Sequence, residues 1–119
     1  MCPVQICSSR YRMNSLRDSI CDVVDEVLSS RGRIVDRAAV CDTSISRPSY
    51  QVSVARHVLL YALHDIYGWS YRGIAQRTGF GVRAVMRIVS AVRDLRFSDA
   101  DYMEILRLVM ERLYGEEYC

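Results

Sequence analysis

The sequence contains no lysine, because all sixteen of its basic residues are arginine. It has only two prolines and six glycines, whereas hydrophobic residues make up 50% of the chain. Such a composition excludes a disordered chain and favours a helical globular one. No apolar run approaches the ~18 residues that a membrane-spanning helix needs. The first residues also lack the apolar core of a signal peptide. We therefore expect a cytoplasmic protein that has one domain and does not contact membranes.

The residues that usually build metal sites and disulfide frameworks are few and poorly spaced. The five cysteines are Cys2, Cys7, Cys21, Cys41 and Cys119. Their number is odd and no pair has CxxC spacing, which favours reduced thiols. His57 and His64 lie seven positions apart on one predicted helix, without a carboxylate or cysteine at ligand spacing. We predict neither a metal nor a cofactor.

Enzymatic motifs are also missing. The chain has no GxxxxGK[ST] phosphate loop, no Ser/His/Asp order and no paired carboxylates. Tyr67, Trp69 and Tyr71 could form a substrate cluster or a base-stacking set, but aromatic residues at helix ends more often fill the core. We expect that the protein is not an enzyme and has no small-molecule substrate.

Acidic residues are scarce in one part of the chain. Between Arg47 and Arg96 there are eight arginines and two acids, which gives this window a charge of +6. Residues 1–46 balance to zero and residues 97–119 carry −4. Basic side chains that neutralise phosphates supply most of the non-specific affinity for DNA. Compositional bias could explain why the basic residues are arginine, but it does not explain why acids avoid this window.

Hydrophobic periodicity predicts six helices and no strand, hence an all-α fold. The predicted helices begin after Ser15, the N-cap of a capping-box variant, and then cover residues 35–40, 49–67, 71–78 and 82–95, with a last helix capped by Ser98. The third helix has apolar residues on several sides, so we expect it to be central and buried. Residues 41–48 form a loop. Residues 1–14 are expected to be flexible, residues 15–114 to form the domain and residues 115–119 to form a tail.

The stretch of residues 70–90, SYRGIAQRTGFGVRAVMRIVS, has the pattern of a helix-turn-helix. Ile74 and Ala75 give the first helix a buried face, and Val85 and Ile88 do the same for the second. Gly79 stands where the chain must turn, and glycine adopts a positive φ without a Cβ penalty. Such a unit can present its second helix to the major groove of DNA.

Residues 55–75, ARHVLLYALHDIYGWSYRGIA, resemble the C-terminal DNA-binding domain of the bacterial replication initiator DnaA. The matching elements are Ala55-Arg56-His57, Val58, Tyr61, Asp65-Ile66-Tyr67 and Ser70-Tyr71-Arg72-Gly73-Ile74-Ala75. The resemblance covers most of residues 16–113 and is strong only in the middle. It implies a Trp-repressor-like helix-turn-helix bundle that binds double-stranded DNA.

The chain departs from that family where the family reads its origin sequence. The family signature Gly-Gly-Arg-Asp-His-Thr-Thr-Val is replaced here, and its Asp-His-Thr positions fall on Gly81, Val82 and Arg83. We therefore do not expect this chain to recognise the initiator's usual box. Without an ATPase motif, we expect a DNA-binding module alone, acting as a replication or transcription regulator.

The first hypothesis is a DNA-binding protein whose second hairpin helix enters the major groove. The predicted base contacts are Val82, Arg83 and Arg87, and the predicted phosphate contacts are Arg47, Arg56, Arg72 and Arg77. Val82 can touch a thymine methyl group, and arginine can form two hydrogen bonds with guanine.

The second hypothesis is a protein-interaction module that keeps this fold but has lost DNA binding. Phe80, Val82 and Met86 are its apolar candidates on the presenting helix, where arginines would surround them. A homodimer or another protein partner would then cover that helix. Alternatively, Phe80 and Met86 pack within the hairpin.

Overall fold

The computed structural model describes the backbone of residues 9–117 and the side chains of residues 16–115. Its six α-helices are α1 Ser9–Ser30, α2 Arg37–Val40, α3 Tyr50–Tyr61, α4 Tyr71–Thr78, α5 Val82–Ser98 and α6 Ala100–Glu117. A π-helical segment, Ala62–Ile66, continues α3. Within this part of the chain there is no strand, so the prediction of an all-α fold with six helices is confirmed.

Helix α3 lies at the centre of the bundle. It packs against α1, α2 and α5, while α6 closes the bundle by contacting both α1 and α5. Val54, Val58, Leu59 and Leu60 are completely buried, as is Leu63 in the π-helical segment. Burying each such side chain stabilises the fold by about 1.5–3 kcal/mol relative to leaving it in water. The prediction that this helix is buried on several sides is confirmed.

Two predicted helix starts are wrong. Helix α1 begins at Ser9 and not after Ser15, because residues 9–14 contain no glycine or proline that would interrupt a helix. Of the segment predicted to be flexible, residues 9–14 are therefore helical, and residues 1–8 lie outside the described residues. Ser98 does not cap α6, since it is still the last residue of α5. The Asp99 carboxylate takes that role and accepts hydrogen bonds from the backbone N–H groups of Asp101 (2.9 Å) and Tyr102 (3.3 Å).

The turn between α4 and α5 follows the sequence prediction closely. Gly79 has a φ of +87°, and its N–H donates to the carbonyl of Ala75 at 2.8 Å, which ends α4. The side chains of Ile74 and Val85 are fully buried and Ile88 is 9% exposed. The predicted helical hairpin with its buried faces is thus present.

The π-helical segment was not predicted. Its wide turn is closed by a hydrogen bond from the N–H of Tyr67 to the carbonyl of Ala62, at 3.1 Å. Within this segment, the ring of His64 stacks on the ring of Tyr71 with 4.1 Å between centroids. Tyr67, Trp69 and Tyr71 pack against the core, which agrees with their interpretation as core-filling aromatics.

Candidate nucleic-acid interface

Helix α5 has one buried face and one exposed face. Val85, Val89 and Val92 turn inward and are completely buried. Arg83 and Arg87, one helical turn apart, are both exposed. The second helix of the hairpin therefore presents a pair of guanidinium groups to solvent, as the sequence predicted.

Among the side chains that the structure describes, seven arginines outside this face have carboxylate partners. The ion pairs that bind them are Arg17–Asp18, Arg31–Asp101, Arg33–Asp101, Arg37–Asp22, Arg93–Asp65, Arg107–Glu104, Arg107–Glu111 and Arg112–Glu26. The strongest of these geometries are bidentate: both terminal nitrogens of Arg33 contact Asp101, for example, at 3.2 and 2.7 Å. The positive charge of these arginines is already balanced within the protein.

Four of the described arginines have neither a carboxylate partner nor any other hydrogen-bond partner. Among the side chains that the structure describes, none forms a hydrogen bond or ion pair with Arg47, Arg72, Arg83 or Arg87. All four are exposed. We refer to them below as the unpaired arginines. Each of the four was singled out from the sequence as a DNA contact.

Arg56 corrects the sequence prediction. It was expected to contact a phosphate, but the residue is only 7% exposed. Its guanidinium donates to four backbone carbonyls that end α2 and shape the following loop: Val40 (2.8 Å), Ala39 (2.9 Å), Ile45 (3.2 Å) and Asp42 (3.2 Å). Burial lowers the pKa of Arg56 from its ordinary range. Because it is buried and donates four hydrogen bonds to these carbonyls, this residue anchors the loop and does not present its charge to solvent.

The anchored loop, residues 41–49, is also packed against the hairpin turn. The Arg56 guanidinium lies over the ring of Phe80, 4.8 Å from its centroid. A Cβ atom added to Gly79 would come within 3.3 Å of the Thr43 side chain. The loop that carries Arg47 is thereby connected to the turn that precedes α5.

A groove of about 190 Å³ lies between this loop and α5. Its lining residues are Ser46, Pro48, Ser53, Arg56, His57, Arg87, Ile88 and Ala91. The two residues that flank Arg47 in the chain thus line the same groove as Arg87. The charge of Arg87 and the serine hydroxyls make the groove suitable for an anionic group.

His57 adds a neutral donor or acceptor to this groove. Burial lowers its pKa, and the nearby cations Arg56 and Arg87 lower it further. Its Nδ1 lies 3.4 Å from the hydroxyl of Tyr102. The sequence had indicated His57 only as a poor metal ligand. Its position directly after Arg56 in the Ala55-Arg56-His57 element is the signal that could have placed it in this groove.

The other predicted DNA contacts differ in how far they are exposed. Arg72 is exposed on α4, whereas Arg77 is half-buried. The backbone carbonyl of Arg77 accepts a hydrogen bond from Arg17 at 2.9 Å, which ties the end of α4 to α1. Val82 is half-buried in the first turn of α5. The structure brings Arg87 and the Arg47 loop to one groove, with Arg83 one helical turn away on α5, and it removes Arg56 from the set.

Among residues 16–115, no group of three or more side chains of the types that hold metal ions is found. In the same part of the chain, none of the helices combines the length and apolar character required to cross a membrane. In comparisons with known proteins, no family model, no curated protein and no solved structure matches this chain.

Proposed function

We propose that this protein binds double-stranded DNA, with α5 in the major groove and the Arg47 loop on the adjacent backbone. The observation that carries the proposal is the set of unpaired arginines on the hairpin and its loop. An arginine balanced by a carboxylate must break that ion pair before it can neutralise a phosphate. An exposed arginine without a partner has no ion pair to break. It can contact a phosphate, and so release counterions from DNA, without that cost.

The roles within the proposed interface follow from position. Arg83 and Arg87 contact base edges, because they project from the exposed face of the presenting helix. Val82 lies beside them and offers an apolar contact to a thymine methyl group. Arg72 and Arg47 contact phosphates and set the register of the protein on the duplex. Arg77 is left out of this set because it is half-buried.

The resemblance of residues 55–75 to the DnaA family supports the same proposal from the sequence side. On that basis we infer a bacterial, cytoplasmic regulator of replication or transcription that lacks ATPase activity in this chain. The family's Asp-His-Thr group is replaced by Gly81, Val82 and Arg83. The target sequence therefore differs from the initiator's usual box.

A matched pair of double variants tests the proposal. Arg83→Ala/Arg87→Ala and Arg107→Ala/Arg112→Ala both remove two exposed arginines from long helices, but only the second pair has carboxylate partners. Binding is measured by fluorescence anisotropy with labelled duplex DNA at about 50 and 200 mM salt, because the electrostatic part of DNA affinity falls as salt rises.

We expect the first double variant to lose most of its affinity and the second to keep it. Binding curves in which both double variants lose the same affinity would contradict the proposal, since net charge alone would then explain binding. Absence of any duplex affinity in the unsubstituted protein at low salt would contradict it more directly.

The second candidate function is a protein-interaction module on the same fold. One observation favours it: Met86 is 46% exposed on α5, between Arg83 and Arg87. Phe80 and Val82, the other apolar candidates, are both partly buried, and one exposed methionine is smaller than the usual interface patch. Sedimentation equilibrium tests this candidate, which requires a stable dimer that Met86→Lys dissociates.

A further inference from the structure

The groove between the Arg47 loop and α5 carries positive charge that its lining does not balance. Two of the side chains that line it are cations, Arg56 and Arg87, and among the described residues no carboxylate lines it. The guanidinium of Arg56 is buried and bonded to backbone carbonyls, which are neutral, so its charge remains. Arg87 is exposed and has no ion-pair or hydrogen-bond partner among the described side chains. The groove therefore favours an anion.

Two serine hydroxyls from different elements add hydrogen-bond donors to the groove. Ser46 belongs to the loop and is exposed, whereas Ser53 belongs to α3 and is half-buried; both line the groove. Within the described part of the chain, neither hydroxyl takes part in a hydrogen bond. A hydroxyl without a partner in the protein is free to donate to an oxygen atom of a bound anion.

His57 provides a further donor. Its Nδ1 lies 3.4 Å from the hydroxyl of Tyr102. Burial raises the pKa of Tyr102 to about 12, so this hydroxyl keeps its proton at neutral pH and can donate to Nδ1. Burial also lowers the pKa of His57, which keeps the ring neutral. A neutral ring that accepts at Nδ1 carries its proton on Nε2, and Nε2 has no hydrogen-bond partner among the described side chains.

We propose that this groove binds one phosphate group. Arg87 supplies the positive charge, and the hydroxyls of Ser46 and Ser53 and the Nε2–H of His57 supply further hydrogen bonds. Donors from three separate elements suit a tetrahedral anion, whose oxygens point in several directions. The volume of about 190 Å³ is below the roughly 300 Å³ at which small-molecule pockets usually begin, so the groove suits the phosphate group and not a whole nucleotide.

Two kinds of ligand offer this chemistry: a free phosphate monoester and a phosphodiester of the DNA backbone. The first is independent of the proposed function. The second rests on it, since the groove would then hold one backbone phosphate through Arg87 and leave Arg83 on the base edges. The experiment below separates the two sources.

The full chain is titrated with inorganic phosphate at constant pH and ionic strength, and the imidazole resonances are followed by NMR. We expect the resonances of His57 to shift and saturate. His64 is the internal control, because its ring stacks on Tyr71 and it does not line the groove. A parallel titration uses dimethyl phosphate, which has the diester chemistry of the DNA backbone.

Three variants test the residues assigned to the site. Arg87→Gln should lower the phosphate affinity at least about tenfold, because it removes a charge-assisted hydrogen bond. Ser53→Ala should lower it about two- to tenfold, which corresponds to one neutral donor. Arg107→Gln is the control, since it removes the same charge from α6 outside the groove and should keep the affinity.

A saturable shift of His57 with inorganic phosphate but not with dimethyl phosphate would assign the groove to free phosphate monoesters. The same shift with dimethyl phosphate and with duplex DNA would assign it to the DNA backbone. Equal losses of affinity in Arg87→Gln and Arg107→Gln would overturn the proposal. So would resonances of His57 that neither phosphate probe moves; if such a protein still bound duplex DNA, the proposed function would stand without this site.

Discussion

The two sides of the bundle use the same residue type in opposite ways. On the side formed by α1 and α6, arginines are balanced: Arg33 holds Asp101 and Arg112 holds Glu26. On the side formed by the hairpin and its loop, Arg83, Arg87 and Arg47 meet no carboxylate among the described side chains. The number of arginines is therefore a poor guide to binding. What distinguishes the hairpin side is that its positive charge is not already used by the protein.

Arg56 belongs to neither side. It has the same guanidinium group as the unpaired arginines and lies between Arg47 and Arg72 in the chain, but its side chain is directed into the bundle, where it donates hydrogen bonds to four backbone carbonyls. Carbonyl oxygens at the end of a helix lack partners within that helix. A buried guanidinium satisfies several of them at once and stabilises the loop that carries Arg47. The buried Arg56 thus holds in place the loop that carries the exposed Arg47.

Arg56→Met should produce the largest effect on stability. The substitution keeps much of the apolar stem but leaves buried carbonyls without a donor, at a cost of about 3–5 kcal/mol in the free energy of unfolding. Urea denaturation followed by circular dichroism measures it. Arg47→Met is the matched control on the loop and should change stability by less than about 0.5 kcal/mol, because Arg47 is exposed. Equal losses in the two variants would erase the distinction between anchored and unpaired arginines.

Arg83→Ala should have the next largest effect, and on DNA affinity instead of stability. After selection of a preferred sequence, we expect a loss of about 1–3 kcal/mol in binding free energy and weaker discrimination between sequences. Arg72→Ala should weaken the binding of all sequences alike, since a phosphate contact carries no sequence information. Titrations against the selected and a scrambled duplex compare the two variants. Identical selectivity in both would remove Arg83 from the base contacts.

Gly79→Ala should disturb the hairpin that presents the unpaired arginines. The φ of +87° is strained for any residue with a Cβ atom, and that atom would also press on Thr43 at 3.3 Å. We expect a loss of about 1–2 kcal/mol in the free energy of unfolding. Gly81→Ala is the control, because Gly81 has a φ of −69° and open space around it. A destabilisation of Gly81→Ala equal to that of Gly79→Ala would show that the left-handed turn is not the cause.

Asp65→Asn should have the smallest effect. It breaks the ion pair with Arg93, the paired arginine of α5, whose side chain is 45% exposed, so we expect about 0.2–1 kcal/mol. The hydrogen bonds from Arg93 lower the pKa of Asp65. The stabilisation is therefore complete above the pKa of about 4 in the unfolded chain and is lost as pH falls through the lower folded value.

This direction of the pH dependence is tested by urea denaturation of the Asp65→Asn variant and the unsubstituted protein at pH 6 and at about pH 3. The difference between the two proteins should shrink at the lower pH. Asp94→Asn is the control, because it removes a carboxylate next to Arg93 on α5 without breaking an ion pair of the described side chains. If the difference in unfolding free energy between the two proteins grew on acidification, the lowered pKa of Asp65 would be contradicted.

The hairpin was predictable because its signals are local. Ser70 caps α4 by accepting a hydrogen bond from the N–H of Gly73, three residues away, and Gly79 ends the same helix. Apolar spacing then identified the buried faces of both helices. The π-helical segment left no such signal, since Ala62–Ile66 has the composition of an ordinary helix. The wrong caps at Ser15 and Ser98 arose because serine can also continue a helix.

The sequence by itself determined that the chain is helical, where its hairpin turns, and that positive charge is concentrated between Arg47 and Arg96. Those properties depend on composition and on residues within a few positions of one another. Only the tertiary structure decided which arginines remain exposed and unpaired. Arg93 meets a carboxylate 28 positions away and Arg33 meets one 68 positions away. Because electrostatic pairing acts through space and not along the chain, the packed bundle alone separates the arginines that stabilise the fold from those available to a partner.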